Sequence, residues 1–115
     1  MPMDKSPLYY GLIFHMLLDP QLKEARQEAI AFIPEGSSVL DVACGTGKLS
    51  IALKKQKSCR VVGIDLSLRM LNFARKSNPS NDIFFLHENA ADLRSFGDQS
   101  FDYATIMFLV HELPV

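Results

Sequence analysis

The most informative stretch of this 115-residue chain is Val39-Leu40-Asp41-Val42-Ala43-Cys44-Gly45-Thr46-Gly47-Lys48-Leu49-Ser50. It starts as a short apolar run that is typical of a buried parallel strand. The run breaks at Gly45 and Gly47 and then continues as a helical pattern. A strand, a glycine turn and a helix form the first half of a βαβ unit, so the stretch predicts a doubly wound α/β fold. Such sheets bind ligands beyond the carboxyl ends of their strands, where both glycines would lie and allow close backbone approach.

The acid inside the predicted strand separates the possible ligands. Asp41 lies four residues before Gly45. A carboxylate there would repel a pyrophosphate but could accept hydrogen bonds from an ammonium group. The dinucleotide fingerprint G-x-G-x-x-G lacks its third glycine because Ser50 stands there, and the phosphate-loop motif fails because Leu49 follows Lys48. A ligand with both a cationic amine and an adenosine fits better.

A second acid follows the second predicted strand, which runs from Cys59 to Ile64. Asp65 stands at the carboxyl end of that strand. An acid at this position can accept hydrogen bonds from two ribose hydroxyls, as in NAD-binding folds, so it indicates an adenosine without choosing the cofactor. Alternatively, Asp65 caps the next helix. We favour ribose binding because Ser67 is already placed for capping.

These segments resemble motifs of the class I S-adenosylmethionine-dependent methyltransferases. The glycine stretch has the D-x-x-C-G-T-G form that is typical of the quinone-biosynthesis C-methyltransferase-like branch, although Ala43 stands where the family often has glycine. Residues 62–71, 88–93 and 101–108 resemble the second, third and fourth motifs. Four motifs in order over residues 39–113 are more specific evidence than any one of them.

The resemblance implies S-adenosyl-L-methionine as the cofactor and a small-molecule methyl acceptor. In the third motif Asn89 would replace the acid that accepts from the adenine amine, and Ala90 would offer its backbone N–H; Asp92 is the competing candidate. His111 is a candidate general base if the acceptor must lose a proton, or else a structural histidine. The cofactor-binding residues expected from the resemblance are Asp41, Ala43, Gly45, Gly47, Asp65, Leu66, Met70, Asn89, Ala90 and Met107.

The implied fold is a Rossmann-like doubly wound parallel sheet with strand order 3-2-1-4. Residues 1–36 would form N-terminal helices, and residues 37–115 a cofactor-binding βαβ core that lacks the usual C-terminal strands of the family. The fourth strand, Phe101 to Phe108, would then have an unpaired apolar edge, which predicts a homodimer through this edge. The alternative function is a non-catalytic cofactor-binding or interaction module that completes its sheet with a second copy or a partner.

Two helical segments precede the core. Leu8 to Leu18 is apolar and is closed by Pro20, whereas Leu22 to Phe32 is rich in helix-favouring residues. They either pack against the sheet or form a lid in which Tyr9 or Tyr10 contacts the ligand. We favour packing.

The composition is that of an ordinary globular protein. Its hydrophobic content is 48% and its formal net charge is −1, so nothing indicates a basic nucleic-acid-binding surface. Cys44 and Cys59 suggest neither a disulfide framework nor a metal site, and a reducing cytoplasm is the expected location. The apolar run near the start is too short to span a bilayer. The identity of the acceptor is not encoded in any motif.

Overall fold

The computed structural model describes residues 20–88, 101–106 and 109–113. In the described ranges the chain forms three helices, α1 (Pro20–Phe32), α2 (Lys48–Lys57) and α3 (Leu68–Lys76). It also forms five strands, β1 (Ser38–Val42), β2 (Arg60–Asp65), β3 (Phe84–His87), β4 (Tyr103–Ile106) and β5 (Leu109–Glu112). No helix within these ranges is long and apolar enough to cross a membrane.

The five strands form one sheet in the order β3-β2-β1-β4-β5. β1, β2, β3 and β4 are parallel, which confirms the predicted order 3-2-1-4. The chain moves outward from β1 to β2 and β3 and then returns to pair β4 with the other side of β1. This reversal makes the carboxyl ends of β1 and β4 the point where an α/β sheet opens a ligand crevice.

The far edge of β4 is not open, so that prediction is wrong. β5 pairs with β4 in antiparallel register, from Ile106 opposite Leu109 to Tyr103 opposite Glu112. The predicted fourth strand, Phe101 to Phe108, is observed as the shorter β4, and β5 begins only after the end of the predicted strand. The homodimer through the edge of β4 loses its structural basis.

The core lies mainly on the face of the sheet that the three helices cover. Ala29 and Ile30 near the end of α1 and Ile33 just after it are buried there, so α1 packs against this core as the sequence indicates. It begins at Pro20, where a proline starts a helix well because the first N–H groups have no intrahelical partner. The earlier helical segment and the two tyrosines, Tyr9 and Tyr10, lie outside the described residues.

Side chains alternate between the two faces of each strand. Leu40, Val42 and Ile64 form a second, smaller apolar cluster, on the face opposite Val39 and Val61 of the main core.

Asp102 explains why the fourth strand begins where it does. Its carboxylate accepts a hydrogen bond from Ser38 N at 2.9 Å, while its own N–H donates to Ser38 O at 2.8 Å. This pair fixes the register of β4 on β1.

Candidate functional site

The loop between β1 and α2 turns tightly through left-handed backbone. The φ angles are +56° at Ala43, +59° at Gly45 and +82° at Gly47. Glycine adopts this region at little cost, whereas a residue with a Cβ loses on the order of 1–2 kcal/mol. Ala43 therefore carries conformational strain at the position where the resembling family often has glycine.

Gly47 is required by packing rather than by the approach of a ligand. A Cβ at this position would lie 2.9 Å from Ala74 Cβ and 3.0 Å from Phe85 Cζ. The missing side chain thus lets α3 and β3 pack directly beneath the loop. We expected Gly47 to make room for a ligand, but the space beside its Cα is filled by Ala74 and Phe85 of the protein itself.

Asp65 joins the glycine loop to the end of β2. It is buried, and its Oδ2 accepts a hydrogen bond from Gly45 N at 2.8 Å. Its Oδ1 accepts from Ser67 N at 2.8 Å, and Ser67 Oγ in turn accepts from Met70 N at 3.3 Å to cap α3. The sequence placed both residues correctly at this end of the strand, and Ser67 is the N-cap. Because a carboxylate offers about four acceptor positions, these backbone bonds do not preclude ribose hydroxyls.

Asp41 is buried beside the loop and receives two hydroxyl donors. Ser50 Oγ, from the first turn of α2, donates to Asp41 Oδ2 at 2.7 Å. Thr105 Oγ1, from the centre of β4, donates to Asp41 Oδ1 at 2.9 Å. Burial raises the pKa of Asp41 to about 6, the two hydroxyl bonds oppose this rise, and nearby Asp65 adds to it.

Sequence reasoning did not find Ser50 and Thr105 as partners of Asp41. In the sequence, Ser50 stands only where the dinucleotide fingerprint has its third glycine, and no motif gives Thr105 a role. The signal for Thr105 is a hydroxyl residue within an apolar strand. Its pairing with Asp41 follows from the β1–β4 register, in which the two residues are directly opposite.

The end of β2 also presents an apolar surface. Leu66 follows Asp65 and is 40% exposed, and Met70 is half-buried in the first turn of α3. His87, at the end of β3, lies with its Nε2 2.9 Å from Leu66 O. The carboxyl ends of the adjacent strands thus bring together the two buried carboxylates, the glycine loop and the apolar surface of Leu66 and Met70.

A family described as the methyltransferase domain matches residues 39–115, which include every part of this site. The chain belongs to the methyltransferase domain family. It is 39% identical over 85 residues to a demethylmenaquinone methyltransferase of Bacillus licheniformis, covering 71% of this chain and 36% of that protein. It is 44% identical over 77 residues to the putative methyltransferase YqeM of Bacillus subtilis, covering 66% and 30% respectively. The chain thus spans about a third of the length of the curated relatives it matches.

Solved structures agree with this methyltransferase fold. The putative methyltransferase in a complex with the Haloferax volcanii Trm112 activator has a TM-score of 0.70 and 29% identity, over 84% of this chain and 42% of that chain. A Thiobacillus denitrificans methyltransferase bound to S-adenosyl-L-homocysteine has a TM-score of 0.62 and 23% identity, over 72% and 35%. The second likeness shows the fold alone.

Not every predicted residue of this methyltransferase domain reaches the glycine loop. His111 is exposed on β5 opposite Ala104, whereas the neighbouring pair Thr105 and Val110 faces the side of Asp41. Because adjacent residues of a strand point to opposite faces, His111 faces away from Asp41. Asn89, Ala90, Asp92 and Met107 lie outside the described residues.

Cys44 lies within the glycine loop of the methyltransferase domain but is not activated. Its thiol is half-buried, and burial, together with Asp41 and Asp65, raises its pKa well above the ordinary value. The thiol is therefore protonated and poorly nucleophilic at neutral pH. Within the described part of the chain, no group of three His, Cys, Asp or Glu residues is arranged to hold a metal ion.

Proposed function

We propose that this chain is the cofactor-binding portion of an S-adenosylmethionine-dependent methyltransferase that acts on a small-molecule acceptor. The main support for this proposal is the hydrogen bond of 2.8 Å from Gly45 N to Asp65 Oδ2, which joins the acid of β2 to the glycine loop that follows β1. With Asp41 buried alongside, the edge offers two carboxylates where a pyrophosphate cofactor would need positive or neutral groups.

The hydrogen-bond acceptors and the apolar side chains at this edge fit the parts of S-adenosylmethionine. In our proposal Asp41 accepts from its ammonium group and Asp65 from its ribose hydroxyls, since carboxylates are acceptors for both. Leu66 and Met70 supply the apolar surface for the adenine ring. Ala43, Gly45 and Gly47 shape the loop, and the resemblance adds Asn89 and Ala90 at the adenine edge and Met107 near the methyl group.

This chemistry asks the protein mainly for orientation. The sulfonium of the bound cofactor makes its methyl group electrophilic, so the protein needs no nucleophilic side chain. In this proposal the residues of the chain bind and orient the cofactor and the acceptor, and they exclude water from the site of methyl transfer. A general base is required only where the acceptor must lose a proton. His111 remains a prediction for that role.

The relatives suggest which acceptor to test first. Several of them are named demethylmenaquinone methyltransferases, with 36 to 42% identity to this chain. We therefore propose a demethylated quinone-type ring, methylated on carbon, as the acceptor class. Transfer of labelled methyl from S-adenosylmethionine to demethylmenaquinone, with phenol and amine acceptors in parallel, tests this choice. Exclusive labelling of an amine or a phenol would contradict it.

Calorimetric titration with S-adenosylmethionine tests the cofactor proposal directly. We expect binding in the wild type that is lost in Asp65→Ala. Asp82→Ala is the matched control, because Asp82 is an exposed aspartate whose bonds are to Asn78 and Ser80 in the turn before β3. NAD serves as the competing ligand. Equal binding by wild type and Asp65→Ala, or a preference for NAD, would overturn the proposal.

A further inference from the structure

Three buried polar side chains from three different elements meet beside the glycine loop. Asp41 comes from β1, Ser50 from α2 and Thr105 from β4, and we refer to them as the Asp41 cluster. Each of the three is almost inaccessible, and each carboxylate oxygen accepts one hydroxyl, at 2.7 Å and 2.9 Å. A buried carboxylate is costly unless its bonds are made, so this arrangement requires a reason.

The charged side chain that acts on Asp41 is another acid, Asp65, while the basic Arg75 acts on the neighbouring Cys44. Asp65 on β2 raises the pKa of Asp41, and Asp41 in turn raises that of the Cys44 thiol in the loop. Within the described ranges, no basic side chain is among the main influences on Asp41. Two neighbouring buried acids repel each other, and a bound cation relieves this repulsion.

We propose that Ser50 and Thr105 are positioning residues that orient the Asp41 carboxylate and hold it ionised for the ammonium group of the cofactor. The proposal rests on the proposed function, since it assigns the ammonium group to Asp41. It goes beyond that function because neither hydroxyl residue contacts the ligand in this scheme. Both act through Asp41.

The geometry explains how two hydroxyls fix the direction of one carboxylate. Thr105 is directly opposite Asp41 in the β1–β4 pairing, and Ser50 approaches from the helix above the sheet. Donors on both oxygens restrain rotation about the Cβ–Cγ bond, because a rotation would break one bond or the other. Each carboxylate oxygen can still accept a further hydrogen bond, and its remaining lone pair keeps a fixed direction.

The charge state follows from the same contacts. Burial favours the protonated acid and raises the pKa of Asp41 to about 6, while both hydroxyl bonds stabilise the carboxylate. Removing one hydroxyl should raise the pKa of Asp41 further, closer to neutral pH. A larger share of the protein then carries a neutral Asp41, which attracts an ammonium group less strongly.

Thr105→Val removes the hydroxyl and keeps the shape of the side chain, and Thr105→Ser is the matched control that keeps the hydroxyl. Ser50→Ala tests the other donor from a different element. Two ligands separate the ammonium group from the adenosine. S-adenosylhomocysteine carries the ammonium group, whereas methylthioadenosine contains the same adenosine without it.

We expect Thr105→Val and Ser50→Ala to bind S-adenosylhomocysteine about tenfold more weakly at pH 7, as for the loss of a hydrogen bond to a charged group. Methylthioadenosine should change by less than about twofold, since it makes no use of Asp41. Thr105→Ser should stay close to wild type. The pH below which affinity for S-adenosylhomocysteine falls should be higher in Thr105→Val than in wild type.

Specific outcomes would overturn the inference. Equal weakening of both ligands in folded variants, checked by circular dichroism, would mean that the hydroxyls only support the fold. An unchanged affinity for S-adenosylhomocysteine would show that Asp41 does not need them. If the wild type binds neither ligand, the proposed function fails as well, whereas a wild type that binds both with no discrimination among the variants refutes only the positioning role.

Discussion

At the scale of single residues, Ala43 holds a backbone conformation that favours glycine. Its φ is +56° and its side chain is exposed, so few contacts compensate the strain. Ser58 and Asn81 also have positive φ angles, but Ser58 ends a helix and Asn81 belongs to a turn, where such angles are usual. Ala43 instead lies in a loop that we assign to ligand binding, where strain is often retained.

Ala43→Gly should leave the protein as stable as wild type or more stable by up to about 1 kcal/mol. Glycine relieves a strain of about 1–2 kcal/mol, but it also increases the entropy of the unfolded chain by up to about 1 kcal/mol. Urea unfolding of both proteins measures the difference. A loss of more than about 1 kcal/mol would show that the Cβ of Ala43 makes a contact that matters.

At the scale of elements, the glycine loop, α3 and β3 form one packed unit. Gly47 packs against Ala74 of α3 and Phe85 of β3. Phe85 also packs against Gly63 of β2, where an added Cβ would lie only 2.8 Å from Phe85 Cδ1. The ring therefore fills the space left by two glycines on neighbouring elements. The shape of the loop depends on this ring as much as on the loop sequence.

Gly47→Ala should destabilise the protein by roughly 3 kcal/mol. It combines the cost of a left-handed Cβ with a steric clash against Ala74 and Phe85. Gly36→Ala is the matched control, because Gly36 has φ +77° and nothing lies within 4 Å of its added Cβ. That variant should lose only about 1 kcal/mol. Equal losses in the two variants, measured by denaturant unfolding, would show that the packing beneath Gly47 yields.

Ser67→Ala should lower stability by about 1 kcal/mol through loss of the N-cap of α3. Ser67→Asn is the control that keeps a capping oxygen, although Ser67 is fully buried and the larger side chain needs local adjustment. Thermal unfolding measures both variants. No loss in Ser67→Ala would indicate that the Asp65 carboxylate alone supports the start of α3.

The sequence was informative where one segment carries its own signal. The sheet order 3-2-1-4 came from the resemblance to the methyltransferase family. The strand, glycine turn and helix around Gly45 and the acid and cap at Asp65 and Ser67 are local patterns, so they could be predicted. β5 could not, because no glycine, proline or asparagine marks the reversal after Ile106. The hydrogen bond from Thr105 to Asp41 depends on strand register between residues 64 positions apart, which no local pattern encodes.

At the scale of the whole molecule, Asp41 links folding stability to pH. In the folded chain its pKa is about 6, against an ordinary value of 3.8. Between these pH values the folded state holds a proton that the unfolded state has released. Stability from this group is therefore greatest below pH 3.8 and declines as the pH rises to about 6, by on the order of 3 kcal/mol.

Asp41→Asn should remove this penalty, so the variant should gain stability relative to wild type as the pH rises from 4 to 7. The amide can still bond both hydroxyls, because serine and threonine hydroxyls accept as well as donate. Unfolding of both proteins across this pH range measures the difference. Asp82→Asn is the matched control, because hydrogen bonds from Asn78 and Ser80 lower the pKa of Asp82 below its ordinary value of 3.8, so its difference from wild type should stay nearly constant from pH 4 to 7. A difference between Asp41→Asn and wild type that is independent of pH would contradict the linkage.

The hydrogen bonds of the glycine loop have a further consequence for its dynamics. Cys44 N donates to Ile64 O at 2.9 Å, Gly45 N to Asp65 Oδ2 at 2.8 Å and Gly47 N to Cys44 O at 3.0 Å. Both glycines are buried. Amide hydrogens held in this way exchange with deuterium only when the structure around them opens. This loop should therefore be among the slowly exchanging parts of the protein, so its glycines make it rigid instead of loose.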